Sequence, residues 1–151
     1  MKKITSLLLC ALLLCASLCG CGGEKSYADG TYTAQSSVYI NDDGTDDGNG
    51  YGVVTLTIKD NTITECSFQS YEEDGTLKDE EYGKERGEIA NRDFYNKAQK
   101  AVAACDEYAK TLVSLGMVSN ASKEIDAISG ATVNHDNFCE AVEIALEQAE
   151  N

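Results

Sequence analysis

An α+β fold is predicted for this chain: a small antiparallel sheet of about three or more strands, packed by two helices. Three patterns in the sequence predict it. Residues 52–59 alternate with period two, so that Val54, Leu56 and Ile58 share one face. An apolar stripe with alternating spacings of four and three then runs from Phe94 to Leu115, and a second runs from Phe138 to Ala149. Strands come first and helices follow, with no βαβ alternation that would call for a parallel sheet.

The chain opens on Lys2 and Lys3, followed by an apolar stretch from Ile4 to Leu18. That stretch of about 15 residues is shorter than the roughly 20 a membrane-spanning helix needs, which predicts a signal peptide over residues 1–20. Leu18-Cys19-Gly20-Cys21 resembles the lipobox of bacterial lipoproteins, with Leu three residues before a Cys and a small residue just before it. Cys10, Cys15 and Cys19 each follow a Leu and lack that neighbourhood. The resemblance implies lipidation of Cys21, residues 21–27 as lipidated Cys and tether, and an extracytoplasmic domain over 28–151 anchored to a bacterial membrane. Acyl chains there would contribute about 0.8 kcal/mol for each buried methylene.

Removal of residues 1–20 takes two of the 12 basic residues and none of the 26 acidic ones, leaving a net charge of −16. Such a surface repels nucleic acid, whose binding rests on clustered Lys and Arg, so no nucleic-acid partner is expected. Beyond Cys21 only Cys66, Cys105 and Cys139 remain. Their odd number and wide spacing make neither a disulfide framework nor a zinc site, and all three are expected to be small core residues.

Taking the elements in order, a strand is predicted over Thr31–Ile40 with Tyr32, Ala34, Val38 and Ile40 on one face. The run from Asn41 to Gly50, NDDGTDDGNG, is dense in turn formers and reads as a solvated loop. It does not fit a calcium loop of the EF-hand type, which needs Glu at its twelfth position; counted from Asp43, that position is Val54. The strand Gly52–Lys59 turns at Asp60-Asn61, two residues that tolerate positive φ, and returns over Thr62–Tyr71. Cys66 and Phe68 are in phase on that return strand and Ile63 is not, which predicts a bulge near Thr64 and Glu65. The acidic stretch Glu72–Glu81 has no period and is expected to be exposed.

Asn91 is a good cap for the first helix, whose inner stripe is Phe94, Ala98, Ala101, Cys105, Tyr108, Leu112 and Leu115 and whose stop is Gly116. The second helix is expected to begin near Asn134 or Asp136, with Phe138, Val142, Ala145 and Ala149 inward. Both stripes read as core.

Several chemistries have no residues to carry them. His135 is the only histidine, and no nucleophile elbow accompanies it. Neither a Gly-rich phosphate loop nor a dinucleotide fingerprint is present, and no His, Cys, Asp or Glu cluster has metal-ligand spacing. What stands out is the loop between the helices, Asp126-Ala127-Ile128-Ser129-Gly130-Ala131-Thr132. It resembles the flavinylation motif of the FMN-binding domain family. That family includes the C subunit of the sodium-translocating NADH:quinone reductase, the G subunit of the Rnf complex and many small lipoproteins. The flanks resemble it too: Asp29-Gly30-Thr31-Tyr32 its opening strand, Gly52 to Ile63 its hairpin, Tyr95 to Val102 its first helix, and Phe138 the aromatic opening its last helix.

In the family the final Thr of the motif is esterified to the phosphate of FMN by a flavin transferase that uses FAD. The resemblance therefore implies FMN as cofactor, held covalently, with Thr132 as acceptor, Ser129, Gly130 and Ala131 around it, and Asp126 in motif recognition. It implies an electron carrier rather than a turnover enzyme, with no catalytic or metal-binding residue assigned, whose partners are the transferase and a membrane reductase or other redox protein. Where the family often has Ser or Thr two residues after the acceptor, this chain has Asn134, expected to cap the helix. His135 is expected to be a surface residue near that cap and Cys139 a packing residue. Two other readings stay open: a lipoprotein that binds FMN or another ligand without a covalent bond, and a surface interaction module with no redox role.

Overall fold

β-branched residues at alternate positions build the centre of the sheet. In the computed structural model, which describes residues 25–151, β1 is Gly30–Gln35, β2 is Tyr51–Lys59 and β3 is Thr62–Tyr71. The expectations for residues 1–24 lie outside the described residues. The strands form one antiparallel sheet in the order β1-β2-β3, with Ala34 opposite Val54 and Leu56 opposite Cys66. Val54, Leu56, Ile58 and Ile63 are all but completely buried. Each contributes about 1.5–3 kcal/mol through that burial. The opposite face carries rows of threonine, with Thr33 and Thr55 hydroxyls 2.9 Å apart.

Asp60 and Asn61 both take positive φ, 50° and 58°, as the β2–β3 turn requires. The register slips between Thr57 and Ile58, where Glu65 and Ile63 are the successive partners and Thr64 is left over. This bulge restores Ile63 to the buried face.

β1 is shorter than the sequence predicts. Its ladder ends at Gln35 because the hydroxyl of the buried Ser36 accepts the Gly52 N–H at 2.9 Å, taking up a donor on the neighbouring strand. Val38 is then only half-buried, and Ile40 is 48% exposed. The acidic loop that follows is tied by its own side chains. Asp43 accepts from the Thr45 N–H and hydroxyl, which holds its carboxyl below the ordinary carboxylate range, and Asp46 accepts from the Gly48 N–H.

Helix α1, Arg92–Leu115, begins where Asn91 Oδ1 accepts the Phe94 N–H at 3.0 Å. It ends at Gly116, which takes the left-handed conformation (φ 64°) and returns its N–H to Leu112. Helix α2, Thr132–Ala149, follows a short 3-10 turn, Ala121–Glu124. α1 lies over β3 and α2 over β1 and β2. The core sits between, with Tyr108, Phe138, Leu112 and Val142 at its centre. Two members at the ends of the expected α1 stripe are outside it: Phe94 is 52% exposed and Leu115 38% exposed.

Candidate functional site

Everything that shapes the inter-helix loop comes from α1 and from the first turns of α2. Tyr108, buried on α1, accepts the Ile128 N–H at 2.9 Å and donates to the Ala131 carbonyl at 3.2 Å. One phenol thus closes Ile128–Ala131 into a fixed arch, which the Ala131 N–H reinforces by bonding the Ile128 carbonyl. Ser129 and Gly130 form the exposed crown of the arch, Ala131 is its buried foot, and Thr132 emerges exposed as the first residue of α2. Asp126 is exposed too, at the loop's other end. Gly130 has φ 86°, and a Cβ there would meet nothing within 4 Å, so the crown faces open space. The sequence-predicted residues 126 and 129–132 therefore stand on one accessible loop.

The first turn of α2 differs from expectation. Its cap position is Ala131, and no side chain caps it. Asn134 sits three residues inside the helix, buried, where it donates to the Ala101 carbonyl at 2.7 Å and approaches Cys105 Sγ at 3.3 Å. Ser70 donates to its Oδ1 at 3.2 Å. A short amide that satisfies α1 and β3 at once is worth more here than on the surface, because each of those groups would otherwise be buried without a partner. The N-terminal N–H groups of α2 are left facing the loop, with the positive end of the helix dipole behind them.

His135 is half-buried rather than a surface residue. Its ring packs against Tyr108 at 5.8 Å, and its nitrogens lie 2.8 Å from the Ile125 carbonyl and 2.9 Å from Asp136 Oδ1. Both partners are acceptors, so each ring nitrogen bonds its partner only as an N–H donor. Cys139 Sγ lies 3.6 Å from the same Nε2, yet this is no nucleophilic pair. The Nε2 proton is committed to Ile125, and burial pushes the Cys139 thiol up to about 11. Cys105 is buried and Cys66 partly so, burial raising their thiols to about 11 and about 12. No disulfide joins the three.

A cavity of about 330 Å³ opens beside the motif. Gly130 to Asn134 line one part of it, and Phe94, Lys97, Ala98, Ala101 and Val102 of α1 line another. The rest is lined by Asn49 of the acidic loop and by Lys78 and Tyr82 of the segment after β3. That size falls within the range of small-molecule sites. A larger cleft of about 420 Å³ lies along the C-terminal half of α2 and the 118–123 turn, away from the motif. The smaller one is the candidate site, because it combines the helix N-terminus, apolar walls and the anchored cation Lys78.

Lys78 corrects the expectation that Glu72–Glu81 is wholly exposed. It is 7% exposed, anchored by its N–H to the Ser70 carbonyl and by Nζ to the Asn49 carbonyl at 2.5 Å, with the ammonium 4.9 Å from the Tyr82 ring centroid. Burial pulls its pKa down, and no carboxylate among the described residues pairs with it. Lys78, Tyr82, Phe94 and Tyr108 are the site residues that sequence reasoning missed. Phe94 and Tyr108 stood on a helical stripe and read as core; Lys78 and Tyr82 lie in an aperiodic stretch with no signal of burial.

A family model described as the FMN-binding domain matches residues 48–147, which span β2 to α2. Among solved structures, a crystal structure of a protein from Clostridium perfringens is similar, with a TM-score of 0.55 at 21% identity over 82% of this chain and 88% of that one. The likeness at that identity concerns the fold. No curated relative matches the chain.

Proposed function

The chain belongs to the FMN-binding domain family, and from that premise we propose that it is a membrane-anchored electron carrier whose FMN is esterified to Thr132. FMN is its cofactor. The observation that carries the covalent reading is the placement of Thr132. Its side chain is exposed on the first residue of an uncapped helix, beside an open crown at Gly130 and at the edge of a cavity.

The fit to FMN rests on three features. The free N–H groups of α2 and its dipole suit a phosphodiester, which would serve as the cap the sequence does not supply. Phe94, Tyr82, Ala98, Ala101 and Val102 offer the apolar and aromatic walls a planar ring needs. Buried Lys78 supplies positive charge within a chain of 26 acidic residues. Attachment is a group transfer: the Thr132 hydroxyl oxygen bonds the FMN phosphorus of FAD, the pyrophosphate bond breaks, and AMP leaves as the hydroxyl proton passes to solvent. Bound FMN supplies reversible acceptance of electrons. The residues hold it, orient it and exclude water from one side.

Geometry also supports the anchored reading. Lys25 pairs with Glu150 at 2.8 Å and Ala28 donates to the Ala149 carbonyl, so the chain enters the domain at the C-terminal end of α2. Thr132 begins that helix of 18 residues. At 1.5 Å per residue the two ends are about 27 Å apart. A lipid on Cys21 would thus hold the cofactor clear of the bilayer, within reach of a soluble or membrane-borne redox partner. A covalent tether suits that location, where dissociated cofactor is lost by dilution.

Expression with a flavin transferase should give yellow protein whose fluorescence stays with the chain through denaturing electrophoresis. Thr132→Ala should abolish that band while leaving the fold intact. Yellow colour that survives Thr132→Ala but washes out on denaturation would replace the covalent reading with a binding one.

A further inference from the structure

On the reading that FMN is attached at Thr132 and fills the cavity beside it, we propose that Lys78 sets the flavin's reduction potential by standing as counter-ion to its ring. The residue is nine-tenths buried and lines the same cavity as Thr132, and its ammonium uses one of its three protons, on the Asn49 carbonyl. Two donors remain without a partner among the described residues. A charged amine in that position costs solvation energy; Glu72 offsets part of it through space, and no carboxylate among the described residues forms a direct ion pair with it. The charge is thus held ready for something that enters the cavity.

The phosphate is not that group. Its ester fixes it at the first residue of α2, where the helix N–H groups meet it. Lys78 reaches the cavity from a different segment, the one after β3, together with Tyr82. On this reading the ribityl chain and the ring both extend from Thr132 into the cavity that Lys78 lines, and of these only the ring gains charge on reduction. Charge beside a flavin ring is a principal means by which a protein tunes it.

Reduction by two electrons from an external donor, with one proton taken from solvent, turns the neutral ring into a singly negative one. Lys78 keeps its own proton and compensates that charge, which favours the reduced state. The titratable groups around it are Glu72, the Tyr82 phenol and the Cys105 thiol, with exposed Lys97 lining the same cavity. Burial raises both the phenol and the thiol, so neither adds negative charge near neutrality.

The test is a spectroscopic dithionite titration of the flavinylated protein across neutral pH, for wild type, Lys78→Met and Lys78→Arg. Wild type should show the pH slope of two electrons taken with one proton. Lys78→Met should have a lower midpoint potential and twice that slope, because a second proton replaces the missing ammonium. Lys78→Arg should restore most of both. Identical potentials and slopes in wild type and Lys78→Met, with flavin attached to each, would overturn the proposal. So would a two-proton slope in wild type, which needs no variant to fold. Wild type that carries no flavin at all is a separate result: it removes the underlying reading and this inference with it.

Discussion

The Tyr108 hydroxyl makes one hydrogen bond and accepts another, and together they hold the two ends of the motif loop. Removing that one oxygen leaves the ring in the core, stacked 5.6 Å from Phe138, while the Ile128 N–H and the Ala131 carbonyl lose their partner. Tyr108→Phe should therefore lower stability by about 1–2 kcal/mol. It should also slow flavin attachment at Thr132 severalfold, because the acceptor is no longer presented in one conformation. A thermal melt checks the first effect and a time course of flavin incorporation the second; unchanged incorporation would show that the transferase shapes the loop itself. Tyr108 stood in the sequence as one member of an apolar stripe. Its ring obeyed that pattern, and nothing in a linear reading told where its hydroxyl would point. Asn134 illustrates the converse: a residue type favoured at caps became a buried tie because Ala101, Cys105 and Ser70 surround it with groups that need partners.

Elements with a strict period were legible, and those whose ends depend on tertiary contacts were not. The β2–β3 hairpin and its bulge follow from alternation, since Ile63 can reach the buried face only if one residue is left over, and its two-residue turn follows from the tolerance of Asp60 and Asn61 for positive φ. The end of β1 depends on Ser36 meeting Gly52, a contact between residues 16 apart. Gly52 itself shows how tightly the elements close on one another. A Cβ there would lie 2.5 Å from the Phe68 ring and 3.1 Å from Asn137 Cβ, where α2 crosses β2. Gly52→Ala should cost about 1–3 kcal/mol by overpacking, read as a lowered melting temperature. An unchanged melting temperature would mean that α2 does not press on the sheet there.

The molecule as a whole carries a proton balance with a predictable sign. Burial raises the thiols of Cys66, Cys105 and Cys139 from 9.0 to between about 11 and about 12, and it raises Tyr82 and Tyr108 as well. Above the unfolded thiol value the unfolded chain has released protons that the folded chain keeps. Folding stability must then fall as pH rises from 9.0 toward 11. Lys78, lowered by burial, works in the opposite direction but is a single group. Melting temperatures under reducing conditions should decline across that window, and replacing Cys105 and Cys139 with Ala should flatten the decline. At this scale the fold class, the single sheet and the two-helix cover were legible from periodicity. The motif loop was legible as a resemblance. The cavity that joins it to Lys78, Tyr82 and Phe94 was not, since those residues approach one another only through the packing of α1 beside the 78–82 segment.

The most direct test is the mass of the peptide spanning Ser129 to Asp136, taken from protein made in a host with a flavin transferase. The account predicts an FMN-phosphoryl adduct on Thr132. An unmodified Thr132 in that host would contradict it.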